Sequence, residues 1–397
     1  MTTPPSFAEL GVSAPVIGAL AERGIVAPFE IQALVMEDAL AGHDVLAKSK
    51  TGSGKTLGFG IPLLERLTPD APKPAALVLV PTRELAQQVA DELTPVAAAR
   101  GLGIGVAYGG VSITEQAKGV AKGHLLIATP GRLEDLAERK LVRLDGVRAL
   151  VLDEADRMLD MGFQPQVDRI VRRLSKDRQT MFFSATLDGD VGRIAAAYTR
   201  EPRRHEVVSE TKTVELIDHR FIPVSAQNKV EALVELLEKE RDLTLVFVRT
   251  KRGADRLVHK LKQRGLRVEG LHGDMTQPAR QKALARFEEG KIDVLVATDV
   301  AARGLDLERI SHVINFDPPE DDKAYVHRVG RTARAGRSGI GVTLVTAEQQ
   351  GDVSRMAARL DLHEAFEEEG MKVAPPRVVF SGSKSGRRSS LRRSKRR

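Results

Sequence analysis

Ser49-Lys50-Thr51-Gly52-Ser53-Gly54-Lys55-Thr56 lies between a short apolar run, Asp44-Val45-Leu46-Ala47, and a stretch whose Leu57, Phe59, Ile61, Leu63, Leu64 and Leu67 fit a helix with a buried face. Strand, glycine-bearing turn and helix start together make a phosphate-binding loop. Gly52 and Gly54 let backbone N–H groups converge on an anion at the positive end of the helix. Lys55 is expected to reach the β- and γ-phosphates, and the Thr56 hydroxyl to bind Mg²⁺. The strict pattern G-x-x-x-x-G-K-[ST] is not met, because Ser49 stands where the first glycine belongs. Serine is small enough for the place; an ordinary Gly/Ser/Lys turn is the alternative.

The 397 residues suggest about two domains of ordinary size. With 42% hydrophobic residues, each can bury a full core. Cysteine is absent, which removes disulfides and thiolate metal sites. Met1 to Leu10 lacks a basic start followed by an apolar core, and no long apolar run occurs, so a soluble cytoplasmic protein without a membrane span is expected. The net charge of +7 is unevenly spread: residues 384–397 hold eight basic residues and no acid, which leaves −1 for all that precedes them. Nucleic-acid contacts in the body must then come from placed residues rather than a general positive field.

Outward from the loop, short apolar runs stop abruptly at polar clusters. Ala76–Val80 stops at Pro81-Thr82-Arg83-Glu84, Leu125–Ala128 at Thr129-Pro130-Gly131-Arg132, Ala149–Leu152 at Asp153-Glu154-Ala155-Asp156, and Met181–Phe183 at Ser184-Ala185-Thr186. Runs without alternation, separated by helical stretches, predict a parallel sheet covered on both faces, with ligands at the carboxyl ends of its strands. Arg203–Val208 reads as a last strand, and the polar Ser209-Glu210-Thr211-Lys212-Thr213 as a linker. The pattern then repeats. Leu243–Val248 ends at Arg249-Thr250, Val268–Leu271 at His272-Gly273-Asp274, Ile292–Ala297 at Thr298-Asp299 and His312–Phe316 at Asp317, with Gly341–Val345 a further strand. No second lysine-bearing loop occurs, so one nucleotide site is expected. The boundaries predicted are 1–208 and 217–368 for two parallel-sheet α/β domains, 209–216 for the linker and 369–397 for a disordered basic tail.

Asp153-Glu154, at a strand end downstream of the loop, is the expected second half of a nucleoside triphosphate site. Asp153 would hold Mg²⁺ and Glu154 would orient and deprotonate the attacking water; an acidic pair capping a helix is the alternative. Phosphoryl transfer also needs positive charge against the γ-phosphate. His327-Arg328-Val329-Gly330-Arg331-Thr332-Ala333-Arg334 sets arginines three apart, which on one helix share a face and could act as arginine fingers when the domains close. A solvated basic face is the alternative. Gln32 can donate and accept at once, as reading N6 and N7 of adenine requires, although a surface glutamine is the commoner use.

These motifs, with Gly109-Gly110, Pro81–Ala86 and Ala297-Thr298-Asp299-Val300-Ala301-Ala302-Arg303-Gly304-Leu305-Asp306, resemble the DEAD-box RNA helicases of superfamily two. The likeness runs from residue 7 to about 345. It implies two tandem RecA-like domains, ATP and Mg²⁺ as cofactors, and RNA as partner. It further implies that Gln32 reads adenine with Phe7 as the upstream aromatic of the same element, and that residues 49–56 hold the phosphates. Asp156, Ser184, Thr186 and His327 would couple the ATP site to RNA. Asp306 would approach the ribose, and Arg331 and Arg334 the γ-phosphate. Arg83, Gly110, Thr129 and Arg132 would line the RNA path in the first domain, and Thr250, Gly273, Arg280 and Thr298 in the second. Two positions depart from the family: Ile25 replaces an aromatic and Phe29 a threonine, which makes Phe29 the candidate for the missing ring.

The function expected is an ATP-dependent RNA helicase that separates strands locally, works as a monomer and grips backbone with little sequence preference. A DNA helicase of the same superfamily and an ATP-gated RNA clamp or remodelling chaperone are the alternatives. Ribosome assembly, RNA decay and cold adaptation stay open as settings. The basic tail reads as an arm that adds RNA affinity through counterion release, or as a solvated end.

Overall fold

The computed structural model describes residues 5–49, 52–207, 216–239, 242–302, 307, 309–333 and 337–372. A seven-stranded sheet contains β1 (Val45–Lys48), β2 (Ala76–Leu79), β3 (Ile104–Ala107), β4 (Leu125–Ala128), β5 (Ala149–Asp153), β6 (Gln179–Ser184) and β7 (Arg203–Glu206). A six-stranded sheet contains β8 (Ile217–Val224), β9 (Thr244–Phe247), β10 (Val268–Leu271), β11 (Val294–Ala297), β12 (His312–Asn315) and β13 (Gly339–Thr346). The orders are β3-β4-β2-β5-β6-β1-β7 and β10-β11-β9-β12-β13-β8. Every pairing among the described residues is parallel.

Parallel strands need covered faces, and the sequence supplies apolar residues to both. Val45 and Ala47 pack with Phe59, Met181 and Phe183 on one side of the first sheet, while Leu46 and Phe182 pack with Leu152 and Met158 on the other. In the second sheet Val246, Val296 and Ile314 face one layer and Leu245, Leu295 and Val313 the other. The edge strands depart from the apolar-run pattern: β7 is wholly polar, β10 holds Glu269 and Gly270, and β3 and β8 carried no run at all. β3 is broken by Gly105. β8 alternates, with Ile217, His219 and Phe221 buried and Asp218 exposed.

In the first sheet β1 sits between β6 and β7 rather than beside β2, so the chain reverses direction across the sheet there, which opens a crevice at its carboxyl end. The buried Asp44 carboxylate fixes the start of β1 by accepting from Thr180 N (2.6 Å) and Arg200 N (2.6 Å). The end of β1 is then set: Lys48 stands opposite Ser184, and across the next pairing Phe183 stands opposite Asp153. Phosphate loop, Asp153-Glu154 and Ser184 thus come to one edge.

Packed chain extends beyond 368, where the tail was expected to start. Met371 joins Phe366, Phe221 and Tyr325 in a buried cluster, because the helix His363–Glu367 lays an apolar end on the second domain. Residues 373–397 and, apart from Leu216, the expected linker lie outside the described residues.

Candidate active site at the facing sheet edges

Gly54 takes φ +83°, and a Cβ there would stand 2.5 Å from both Gln32 Nε2 and Phe29 Cδ2. Only glycine fits the turn. Ser49 is held by other means, since Ser53 Oγ donates to Ser49 Oγ at 2.9 Å. Lys55 opens the helix Lys55–Arg66 and is buried, with Nζ donating to Ser49 O at 3.0 Å. Burial pushes its pKa down, against the pull of the Asp153, Glu154 and Asp156 carboxylates. Lys50 and Thr51 lie outside the described residues.

Gln32 is buried and doubly engaged: Oε1 accepts from Phe29 N (2.9 Å) and Nε2 donates to Gly54 O (2.8 Å). The amide that would read adenine is thereby wired to the last glycine of the loop. Phe29 is 61% exposed with its ring edge against Gly54, whereas Ile25 packs on the core. Phe7 corrects the expectation of a nucleotide contact. It is 3% exposed among Val16, Leu20 and their neighbours, so its ring anchors the N-terminal segment and offers no face to a base.

Asp153 ends β5 and accepts from Glu154 N at 3.0 Å. Burial lifts its pKa to about 7, with Lys55 opposing. Glu154 adopts a left-handed conformation, φ +51°, which costs a non-glycine residue on the order of 1 kcal/mol or more and turns its carboxylate inward. Its Oε2 has no hydrogen-bond partner among the described residues and lies 3.5 Å from Arg157 Nε. Asp156 N donates to Ser184 Oγ at 3.3 Å, and Thr186 Oγ1 donates to Asp156 Oδ2 at 3.4 Å. The structure brings the three expected coupling residues of this domain together.

The donor set suits Mg²⁺ in one specific way. No group of three or more His, Cys, Asp or Glu that could hold a metal occurs among the described residues. The Asp153 carboxylate and a half-buried Thr56 hydroxyl are left, beside Glu154 Oε2, which accepts no hydrogen bond among the described residues. That set fits an ion that keeps its waters and shares substrate phosphates, and it does not fit an all-protein cage.

Among the described residues, the second domain meets this edge through two ion pairs and the electrostatic reach of His327. Arg280 forms a buried ion pair with Glu84, Nε to Oε1 at 2.7 Å and Nη2 to Oε1 at 2.6 Å. Lys323 Nζ lies 2.8 Å from Asp160 Oδ2. His327 lies within electrostatic reach of Asp156 and Arg157, and burial, aided by Arg157, pushes its pKa down to about 4.

Three sequence expectations change here. The helix carrying His327 runs Asp322–Val329 and stops at Gly330, so Arg331 lies in the following turn, buried, with Nε donating to His327 O at 3.2 Å. A shared helical face for the arginines is thus wrong, because the helix ends between Arg328 and Arg331. Arg328 is structural: it pairs bidentately with Asp299 (2.6 and 2.7 Å), donates to Asn315 Oδ1 (3.0 Å) and covers the Phe247 ring. Arg280 was expected on the RNA path, yet its guanidinium is spent on Glu84, His272 O (3.2 Å) and Ala301 O (3.4 Å). Arg334 and Asp306 lie outside the described residues.

The other expected RNA contacts all follow strand carboxyl ends. Arg83, after β2, lays its guanidinium on Gly109-Gly110; at Gly110, φ +87°, a Cβ would stand 2.2 Å from Arg83 Nη1. Arg132 follows Thr129 after β4 and donates to Val111 O (3.1 Å) and Gln116 Oε1 (2.6 Å). Thr250 follows β9 and caps a helix by accepting from Gly253 N (3.0 Å), with Gly273 after β10 and Thr298 after β11. Sequence reasoning missed Glu84, although an acid inside a segment of RNA-facing residues was a signal that it meets a cation.

Known proteins agree with this arrangement. The family model for DEAD/DEAH box helicases matches residues 29–194, and that for the helicase conserved C-terminal domain matches residues 228–336. The DEAD-box ATP-dependent RNA helicase CshA of Bacillus subtilis is 41% identical over 347 residues, spanning 87% of this chain and 70% of that protein. The Streptococcus pneumoniae protein of the same name is 40% identical over 389 residues, 98% of this chain and 73% of its own. Among solved structures, S. cerevisiae Dbp5 bound to RNA and ADP BeF3 superposes with a TM-score of 0.76 at 29% identity, covering 92% of this chain and 93% of that one. Mss116p bound to ssRNA and AMP-PNP gives 0.79 at 28%, covering 91% and 78%. No described helix is long and apolar enough to cross a membrane. With matching motifs on two parallel-sheet domains that meet at their carboxyl edges, the chain belongs to the DEAD-box ATP-dependent RNA helicases.

Proposed function

We propose that ATP and RNA close the two domains, 1–208 and 217 to at least 371, into one active site, and that hydrolysis reopens them. Residues 49–56 cradle the phosphates, with Lys55 on the β- and γ-phosphates. Thr56 and Asp153 hold Mg²⁺, whose chemistry there is to neutralise phosphate charge. Glu154 takes a proton from the attacking water, for which its Oε2, accepting no hydrogen bond among the described residues, is suited. Gln32 reads adenine, Phe29 supplies an aromatic platform, and Asp306 reaches the ribose. Arg331 and Arg334 stabilise charge developing on the γ-phosphate, as arginine fingers do.

RNA lies along the facing edges, held by Arg83, Gly110, Thr129 and Arg132 on one side and Thr250, Gly273 and Thr298 on the other. Backbone contacts of this kind carry little sequence information. Closure bends the gripped strand and peels it from its complement, so separation is local. Both halves of the cleft come from one polypeptide, so a monomer suffices. Dbp5 with RNA and ADP BeF3 and Mss116p with ssRNA and AMP-PNP, which superpose over most of this chain, support the joint site.

The observation that carries the proposal is the buried Arg280–Glu84 pair, which joins the second domain to the first, with His327 within electrostatic reach of Asp156 and Arg157. The test is ATP turnover measured with RNA, with DNA of the same sequence, and alone, beside displacement of a short duplex. RNA alone should stimulate turnover, and displacement should need ATP. Equal stimulation by DNA would return the DNA-helicase alternative.

A further inference from the structure

The helix Lys251–Gln263 begins at Thr250, on the proposed RNA path, and covers β10 and β11 with Ala254, Leu257 and Leu261. Its outer face carries Arg252, Arg256 and Lys260, all exposed, at i, i+4 and i+8. Over residues 251–264 there are six basic residues and one acid, Asp255, in a body that carries −1 before the basic tail. This is one of two dense basic stretches in the near-neutral body; the other, residues 169–178 of the first domain, holds five basic residues and one acid and does not adjoin Thr250.

The charge is not there for the fold. Asp255 is committed to His272 (2.9 Å), Asp274 to Lys251 (2.6 Å) and Glu231 to Arg264 (3.2 Å). Among the described residues no carboxylate forms a salt bridge with Arg252, Arg256, Lys260 or Lys262. Arg256 Nε donates to Arg252 O at 3.3 Å, and Arg252 feels Asp274 only as a second charge beside Lys251. The first turn holds no acid but two cations, Lys251 and Arg252, at the end where the helix dipole disfavours positive charge by about 0.3–1 kcal/mol. A bound anion relieves both penalties at once.

The spacing suits a chain of anions. Each four-residue step rises about 6 Å, so Arg252 to Lys260 spans about 12 Å, the length of a few nucleotides. We propose that this face is a second RNA-binding surface, following the phosphates of the strand where it leaves the cleft at Thr250. The proposal rests on the RNA path described under the proposed function and extends it along the second domain. Recognition is mainly through phosphate, since the face presents long cations and no Phe, Tyr or Trp platform for bases.

The test compares two RNAs, one of about six nucleotides that fills only the cleft and one about three times longer, bound with a non-hydrolysable ATP analogue over a series of salt concentrations. The variant is Arg252→Ala/Arg256→Ala/Lys260→Ala; the control, Arg172→Ala/Arg173→Ala/Lys176→Ala, removes equal charge from an exposed patch of the first domain. The face variant should bind the short RNA within about two-fold of the parent, bind the long RNA about ten-fold or more weakly, and lose about 2 units of salt slope on it. Equal loss on the short RNA, equal loss in the control, or undiminished long-RNA binding would each overturn the surface, and the last would leave the face to an acidic protein. If the parent protein binds neither RNA, the cleft reading fails and takes the surface with it; if it binds both alike and the variant does too, only the surface fails.

Discussion

Arg280 of the second domain and Glu84 of the first are a buried ion pair that exists only while the domains are together, with Arg280 Nε and Nη2 2.7 and 2.6 Å from one carboxylate oxygen. Removing one partner of such a pair costs about 3–5 kcal/mol when the other stays buried. Here the orphan can reach water if the domains part. The cost therefore falls on closure and leaves folding alone. Arg280→Ala and Glu84→Ala should each lower RNA-stimulated turnover by about 10- to 100-fold, and the double variant should recover part of the loss. Thermal unfolding of each should stay near the parent's; a large drop in Tm would make the pair part of the fold instead.

Glu154 holds a carboxylate oxygen without a hydrogen-bond partner among the described residues, in a strained backbone position at the head of the nucleotide edge. Glu154→Gln keeps the shape and removes the base. Turnover should fall by about 10²–10⁴-fold while binding of a fluorescent ATP analogue stays within a few-fold. Turnover at the parent rate would assign the base elsewhere.

Gln32 bonds both Phe29 N and Gly54 O with one amide, so its loss leaves Phe29 N without that partner and Gly54 O with Gly58 N alone (3.2 Å), and loosens the loop as well as the base site. Gln32→Ala should raise KM for ATP at least ten-fold, at about 1–3 kcal/mol per unsatisfied group, and narrow the preference for ATP over GTP. Phe29→Ala should weaken ATP and GTP binding alike, since stacking ignores base edges. A Phe29→Ala protein with unchanged nucleotide affinity would remove the ring from the platform.

His327 is held neutral, its pKa pushed down to about 4 by burial beside Arg157. A depressed value means the open, solvated form takes up the proton first. Its contribution to the closed form is fully present above about 6.5, the ordinary histidine value, and is lost as pH falls from there toward 4. RNA-stimulated turnover should therefore decline through this window, and His327→Asn should flatten the decline relative to the parent. Identical pH profiles would place the titration on another group.

Much of the active edge was legible because parallel strands announce themselves. Leu125–Ala128 and Ala76–Leu79 are apolar throughout, and the polar residues directly after each lie at a carboxyl end by construction. Spacing could not say where the helix after Asp322 ends, and so it put Arg328 and Arg331 on one face, when Gly330 ends the helix and Asp299 draws Arg328 inward. Edge strands β3 and β8 lacked the signal because one has a glycine and the other alternates. The bond between Arg280 and Glu84 joins residues 196 apart, a distance at which local pattern carries no information. Phe7 shows the converse: an aromatic in the expected place, used for packing.

Single-turnover ATP hydrolysis by Arg331→Ala, saturated with RNA and ATP, tests most directly whether the second domain completes the first. Arg331 is buried next to His327 at the domain boundary, with no lysine-bearing loop of its own domain to serve. Hydrolysis should fall at least about 10³-fold while RNA and ATP-analogue binding persist. Hydrolysis at the parent rate would contradict a site built from both domains.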